Sequence, residues 1–237
     1  MSCQIKVDSA AGNTRAIENR PPQKADQVYQ LLRRSIIMLE MEPGAPIVEK
    51  SICSQLSVSR TPLREAIQRL AEEGLVNVIP HSGTYVSRIS FEVAEEGFII
   101  RRALEIESVR RACLRYCYAA GAELDAILLR MRRLVDTNQL DRYLDEDDNL
   151  HSSIARMSGL PRIWRFITMA KVHLDRMRQL SAPVPGHLAM VTEQHAAILS
   201  AVRSGKPDQA ELAMRIHLES SFEVMTKLYH QRTNMFA

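Results

Sequence analysis

The residues with the clearest chemical potential lie in the C-terminal half, where a carboxylate and an imidazole interrupt an apolar helical pattern. On the stretch 141–157, Asp147 and His151 lie on or beside the stripe formed by Leu150 and Ile154. Residues four apart on a helix share one face, so both polar side chains point the same way. Each costs free energy in an apolar interior unless it is paired. The two therefore either hydrogen-bond each other or bind something inside the fold.

Two further histidines reach the same level of the predicted structure. His195 and His217 lie in apolar helical patterns, 10 residues before and 12 residues after Gly205. If Gly205 turns the chain between antiparallel helices, both imidazoles stand about 15–18 Å from the turn. One Asp and three His suit Zn²⁺, Ni²⁺, Mn²⁺ or Fe²⁺, although buried groups that hydrogen-bond their neighbours remain the alternative. We expect the other histidines at the surface or in loops: His173, His187 and His230, with His81 in a wing.

A bundle of long helices must position these residues. After Ser90 the sequence has helical periodicity near 92–120, 122–139, 141–157, 160–180, 187–204 and 207–230, without a further strand signal. Gly121, 158–161, 182–186 and 205–207 are the principal breaks. We predict an all-α bundle of six to seven helices over 90–237, with its own core. Cys113 and Cys117, one helical turn apart, are predicted to be packed thiols.

The N-terminal part has a different pattern. Residues 1–22 resemble a flexible arm, ending in Arg20-Pro21-Pro22, and 24–40 form an amphipathic helix. Two short helical patterns follow within 47–70, and the polar turn 57–62 separates them. Ser59 or Thr61 can cap the second helix, which presents Arg60 and Arg64 at its positive end. An anion such as a DNA backbone is favoured there, although a hairpin with charges facing water is the alternative.

A strand–turn–strand pattern comes directly after the second short helix. The β-branched runs 74–79 and 84–87 flank Pro80-His81-Ser82-Gly83. A helix-turn-helix followed by such a hairpin is a winged helix. We therefore predict a mainly α protein, with a winged helix-turn-helix over 23–89 and the helical bundle behind it.

Composition narrows the class of protein. The 237 residues carry a net charge of +3, divided as +2 over 1–90 (11 basic, 9 acidic) and +1 over 91–237 (20 basic, 19 acidic). Since neither half is strongly basic, DNA specificity must come from a few well-placed groups on a dimer. No apolar run approaches the ~18 residues of a membrane span, and the N-terminus does not resemble a signal peptide. The expected location is the cytoplasm.

The N-terminal motif resembles a known family. The run SVSRTPLREAIQRLAEEGLV and the wing HSGTYV match the DNA-binding domain of the GntR family of bacterial transcription regulators without a gap. The resemblance implies major-groove guanine contacts from Arg60 and Arg64 and phosphate contacts from Ser59 and Thr61. Further DNA contacts are predicted from Lys50, ahead of the turn, and from His81, Ser82 and Gly83 at the wing tip. Arg69 is expected to pair with Glu65 or Glu73.

Residues 92–230 resemble the FCD effector domain of the FadR-type branch of that family. The matching segments are RRALE at 101–105, DDNLH at 147–151, EQHAAI at 193–198 and MRIHL at 214–218. The second departs from the family pattern, which commonly has Phe at the position of Leu150. In metal-binding members, the ligands correspond to Asp147, His151, His195 and His217. The resemblance thus implies a divalent metal, with zinc first and nickel, manganese or iron as alternatives.

Arg101 has two possible roles, and we expect the second, effector binding. It can form an i,i+4 ion pair with Glu105 on a wet face, which stabilises little, or clamp an effector carboxylate through its guanidinium. The open positions of the metal would hold the same acid. We expect a homodimeric regulator, a repressor in most such proteins, that binds a palindromic operator and responds to a small carboxylate.

Two other functions are compatible with the cluster. A metalloenzyme could use the open coordination positions, but no Glu or Tyr is identifiable beside the cluster as a general base, and the winged helix would have no use. Alternatively, the metal only stabilises the bundle and no effector binds. We expect a regulator and not an enzyme.

Overall fold

The computed structural model describes residues 24–231 and 235–237, so the predicted arm at 1–22 lies outside the described residues. The elements in chain order are α1 Lys24–Ile37, α2 Glu49–Leu56, α3 Arg60–Glu72, β1 Val76–Ile79, β2 Gly83–Val86, α4 Phe91–Leu114, α5 Tyr118–Asp136, α6 Leu140–Met157, α7 Ile163–Ala170, α8 Val172–Ser181, α9 His187–Arg203 and α10 Pro207–Gln231. None of these helices is long and apolar enough to cross a membrane.

The first three helices and the hairpin share one core. Leu63, Ala66 and Leu70 of α3 are fully buried beneath α1, as their helical spacing predicts. Ser57 ends α2 in the left-handed region at φ 52°, which gives the tight turn before α3. Ser59 occupies the N-cap position of α3, but its side chain makes no capping hydrogen bond. The two strands pair antiparallel from Val76↔Val86 to Ile79↔Gly83.

Seven helices, α4 to α10, form the second core among the described residues, with the largest contacts between α4, α9 and α10. The break predicted at Gly121 is wrong. The chain turns at 115–117 instead, and Gly121 lies inside α5, where a Cβ would come within 2.2 Å of the Tyr116 hydroxyl. Close packing, not helix termination, requires that glycine. Cys113 therefore lies in α4, whereas Cys117 is the N-cap residue that precedes α5, and of these two cysteines only Cys113 is buried.

The helix predicted over 160–180 is divided into α7 and α8 at Lys171. The turn lies against α4, where a Cβ on Gly97 would come within 2.4 Å of the Ala170 carbonyl oxygen. Lys171 is buried, and its ammonium donates to Asp148 and to Asp175 at 2.7–2.8 Å. These two carboxylates supply the partners that a buried cation requires at the turn between α7 and α8.

Helix α8 also joins the two cores. Val172 packs in the core of the N-terminal elements. His173 accepts a hydrogen bond from the Ser90 backbone N–H at 3.0 Å, and its Nε2 lies 3.2 Å from the Gly74 carbonyl oxygen. The buried Arg176 donates to the Ser87 carbonyl at 2.7 Å. The prediction of His173 as a surface or loop residue is wrong, because its ring is buried between α8 and the backbone of Gly74 and Ser90.

Candidate metal and effector site

Three helices of the bundle bring the four predicted metal ligands together. Asp147 and His151 come from α6, His195 from α9 and His217 from α10, and all four are buried. Their potential ligand atoms lie within 4.8 Å of one another. The helical spacing that gives each helix one apolar face therefore places the four side chains at one depth, as the sequence predicts.

Three separations within the cluster match those between the ligands of a single metal ion. His151 Nε2 lies 3.3 Å from His195 Nε2 and 3.2 Å from His217 Nε2, and His195 Nε2 lies 3.4 Å from Asp147 Oδ1. Tetrahedral bonds of about 2.0–2.1 Å place ligand atoms about 3.3–3.4 Å apart. The side chains present are therefore suitable in type and separation for a small divalent cation.

Neighbouring acceptors fix the tautomers of two of the imidazoles. His151 Nδ1 hydrogen-bonds Glu105, and His217 Nδ1 lies 3.3 Å from Gln194 Oε1. Because each Nδ1–H donates outward, the Nε2 lone pairs of these rings face each other across the cluster. That arrangement is unfavourable without a cation between them and is typical of metal-ligating histidines.

Burial favours the neutral, metal-binding form of two of the cluster imidazoles, His195 and His217. Removal from water lowers the pKa of His195 to about 3, opposed by Asp147 and reinforced by His151. The pKa of His217 is lowered well below its usual value, again mainly by burial and then by His195 and His151. Protonation therefore does not compete with a metal for these nitrogens near neutral pH.

The buried Arg178 compensates the negative charge of the carboxylates at the site. Burial alone would raise the pKa of Asp147, but Arg178, with His151 next, lowers it to about 2. Arg178 donates directly to Asp147 and, at 2.9 Å and 2.8 Å, to Asp148 and Asp175. Arg178 is thus the cation on which the acidic side of the cluster depends.

Arg101 does not lie on a wet face. It is buried, and its Nε donates to Glu105 Oε1 at 2.6 Å. Its Nη2 lies 4.0 Å from Asp147 Oδ2 and has no hydrogen-bond partner among the described residues. The ion pair with Glu105 is present, but it does not lie on the wet face that this alternative role for Arg101 assumed. This burial leaves one guanidinium nitrogen directed at the site without a full partner.

A small cavity adjoins the cluster. It measures about 20 Å³, room for about one water molecule, and it lies between α4, α6, α8, α9 and α10. Its polar lining consists of Arg101, Tyr143, Asp147, Arg178, Ser181, His187, His217 and Ser221. His187 is therefore buried beside the site, and its prediction as a surface residue is wrong.

Comparison with known proteins identifies the family. The profile described as "Bacterial regulatory proteins, gntR family" matches residues 24–86, and the FCD domain profile matches residues 96–220. The chain is 32% identical to the HTH-type transcriptional repressor RspR of Escherichia coli K12 over 211 residues, which cover 89% of this chain and 92% of that protein. The chain belongs to the GntR family of bacterial transcriptional regulators.

Further relatives agree with this assignment. The GntR-family chain is 32% identical to the uncharacterised HTH-type regulator YdfH of Escherichia coli O6:H1, over 92% of this chain and 96% of that protein. Its fold is similar to that of Escherichia coli McbR/YncC, with a TM-score of 0.76 at 20% identity, over 87% of this chain and 98% of that one. The predicted family, fold class and role as a regulator rather than an enzyme are confirmed.

The GntR-type winged helix presents the predicted DNA-contacting residues to solvent. All eight are exposed: Lys50, Ser59, Arg60, Thr61, Arg64, His81, Ser82 and Gly83. Arg64 lies 3.3 Å from Glu49 in an exposed ion pair that a phosphate or base could displace. His81 lies at the wing tip with φ 60°. Arg69 pairs with Asp26 at 2.6 Å rather than with Glu65 or Glu73, because α1 packs across α3 and supplies the carboxylate.

The site contains two residues that sequence reasoning missed. Glu105 hydrogen-bonds His151, a candidate metal ligand of this GntR-family protein, and Arg178 pairs with Asp147, the acidic candidate ligand. Glu105 was identified only as an ion-pair partner, since its contact with His151 spans 46 residues of sequence. The acidic pair Asp147-Asp148 was the available signal for Arg178, because two adjacent carboxylates on a helix facing a core require a cation.

Proposed function

We propose that this GntR-family protein is a repressor that binds a palindromic operator as a homodimer, and that a divalent metal and a small carboxylate set its operator affinity. The name of RspR as a repressor supports the direction of regulation. The main observation that supports this proposal is that four potential ligand atoms of buried side chains lie within 4.8 Å of one another. A cavity that Arg101 lines lies beside them.

In this proposal Asp147, His151, His195 and His217 hold the metal, with zinc as the first candidate and nickel, manganese or iron as alternatives. The mixed imidazole and carboxylate set suits all four. Four protein ligands leave positions open on a metal that accepts five or six, so the ion can hold an acid as a Lewis acid. Glu105 and Gln194 keep the two imidazoles they contact in the binding tautomer.

Arg101 supplies the second anchor for the effector. Its Nη2 is buried and lacks a hydrogen bond among the residues described, so a carboxylate oxygen of the effector would accept the hydrogen bond that this nitrogen can donate. The cavity is lined on its other walls by apolar side chains, including Leu188, Val191 and Met225. Because the cavity is small, a bound acid displaces side chains of its wall, and Arg178 is one of the large polar side chains there.

Helix α8 connects the cavity to the winged helix, so a displacement of Arg178 can affect DNA binding. Arg178 contacts the cluster, whereas His173 and Arg176 on the same helix hold Gly74, Ser90 and Ser87 at the base of the winged helix. A shift of α8 that follows repacking around Arg178 changes the placement of the winged helix. Effector and operator affinities are then reciprocally coupled.

On the DNA side, Arg60 and Arg64 are proposed to read guanines, and Ser59 and Thr61 to hold phosphates. Lys50 and the wing residues His81, Ser82 and Gly83 add backbone and minor-groove contacts. We assign the DNA-binding domain to 23–89 and the effector and dimerisation domain to 90–237. Dimerisation places two winged helices on the operator, because the DNA-contacting surface of one is too small by itself for operator specificity.

The decisive experiment combines metal analysis with thermal unfolding. Purified wild type should carry close to one metal per chain, His195→Ala should lose it, and His230→Ala, at an exposed position, should keep it. A panel of small carboxylic acids should raise the melting temperature only when metal is present. A metal-free wild type that melts like the His195 variant would refute the site. Unfolding on chelation without any acid effect would indicate a purely structural metal.

A further inference from the structure

Three polar atoms on the cavity wall have no hydrogen-bond partner among the described residues. They are Arg101 Nη2 on α4, His187 Nδ1 on α9 and Ser221 Oγ on α10. All three side chains are more than nine-tenths buried, and all three line the same 20 Å³ cavity. Buried polar groups are almost always satisfied, so three unsatisfied groups around one cavity indicate a polar ligand.

The three groups differ in what they can bind. A guanidinium is a donor only and matches a carboxylate. Burial lowers the pKa of His187, so its imidazole is neutral near pH 7 and can either donate or accept through Nδ1. The Ser221 hydroxyl can also donate and accept. Two such groups match a hydroxyl, which itself has one donor hydrogen and two acceptor lone pairs.

We infer that His187 and Ser221 form a hydroxyl-recognising subsite, and that the effector is a compact hydroxy-carboxylate. The carboxylate lies between Arg101 and the metal, and the hydroxyl lies toward α9 and the C-terminal half of α10. This inference rests on the carboxylate effector proposed above and names its chemical class.

Acids without a hydroxyl are poorer ligands for this wall. A fatty or aromatic acid would keep His187 Nδ1 and Ser221 Oγ buried without partners, which weakens its binding relative to a hydroxylated acid. A long chain also does not fit, since the cavity must open even for a small acid. Leu188 and Val191 supply apolar wall against which a short hydrocarbon segment can pack.

The test uses matched pairs of acids that differ by one hydroxyl: glycolate and acetate, lactate and propionate, and 3-hydroxybutyrate and butyrate. Binding to the zinc-loaded full-length protein is measured by isothermal titration calorimetry. At least one hydroxylated member should bind roughly tenfold or more tightly than its partner. Ser221→Ala and His187→Phe should reduce that ratio toward one and leave the affinity for the unhydroxylated acid nearly unchanged.

Three controls complete the design. Ser204→Ala removes an exposed hydroxyl outside the cavity and should preserve the ratio. His187→Asn, which keeps a donor and an acceptor near the Nδ1 position, should restore part of it. Arg101→Met should weaken both members of each pair, because it removes the carboxylate anchor.

The outcomes separate this inference from the proposed function. If the acids bind without preference for the hydroxyl, or if the Ser221 and His187 variants retain the preference, the subsite is refuted and the carboxylate effector survives. In that case a bridging water is the partner of the two groups. If no acid of any pair binds to zinc-loaded protein, both the carboxylate effector and the subsite are refuted.

Discussion

Arg178 donates a hydrogen bond to Asp147, a candidate metal ligand, from a helix that also holds the base of the winged helix. The same guanidinium contacts Asp148 and Asp175, so one side chain neutralises three carboxylates. Those carboxylates hold the pKa of Arg178 above its usual value, although burial opposes them. The contact links the candidate metal site to the base of the winged helix through a single 10-residue helix, α8.

Replacement of Arg178 should destabilise the protein strongly. Arg178→Gln leaves buried carboxylates without their main cation, and breaking such a pair typically costs about 3–5 kcal/mol. Urea unfolding of metal-free protein would measure the loss. Arg203→Gln is the matched control, since Arg203 and Asp125 form an exposed ion pair whose removal should cost less than about 1 kcal/mol. Equal effects of the two substitutions would contradict the role of Arg178.

Glu105→Gln should weaken metal binding while the four ligands remain in place. Loss of the carboxylate that orients His151 typically reduces metal affinity by about 10–100-fold. Competition with a chromophoric chelator would measure the affinity. Glu107→Gln on the same helix, where Glu107 pairs with the exposed Arg111, should leave it unchanged. An unaltered affinity in the Glu105 variant would show that His151 needs no orienting acceptor.

His173 should make the stability of the protein sensitive to acid. Burial, with Arg176 next, lowers the pKa of His173 from 6.5 to about 4, so the unfolded chain binds the extra proton between those values. The contribution to stability is fully present above about pH 6.5 and is lost as the pH falls toward 4, with a slope of up to about 1.4 kcal/mol per pH unit.

The measurement is the free energy of unfolding against pH in the presence of a chelator. His173→Gln, which can make both hydrogen bonds without titrating, should show a shallower slope than wild type over this range. His230→Gln, at an exposed position, should reproduce the wild-type slope. A wild-type slope in the His173 variant would assign the acid sensitivity to other groups.

Arg60 should contribute to sequence reading rather than to general DNA affinity. Arg60→Ala should weaken binding to a selected operator by about 1–3 kcal/mol and relax the preference at one base pair, because a bidentate guanine contact is lost. Lys50→Ala should weaken all sequences similarly and reduce the salt dependence by about one counterion. Fluorescence anisotropy with operator and scrambled DNA distinguishes the two patterns. Gln68→Ala, exposed further along α3, should change neither.

Local patterns in the sequence determined the parts of this protein that depend on local geometry. Helical spacing identified the buried face of α3, and the β-branched runs around 80–83 identified the wing. The distances of His195 and His217 from Gly205 placed the two imidazoles at one depth, because the rise of a helix is fixed per residue. The same logic placed Asp147 and His151 on one face.

Only the tertiary structure decided which side chains surround that cluster. Glu105 meets His151 across 46 residues, and Arg178 meets Asp147 across 31. His173 and His187 are buried because other elements cover them. The apolar periodicity of their own helices does not predict this burial. A helix sequence specifies which face is apolar, but the partner that covers a polar residue depends on how the helices pack. The convergence of the four candidate ligands could therefore be predicted from the sequence, whereas the groups that orient, neutralise and connect them could not.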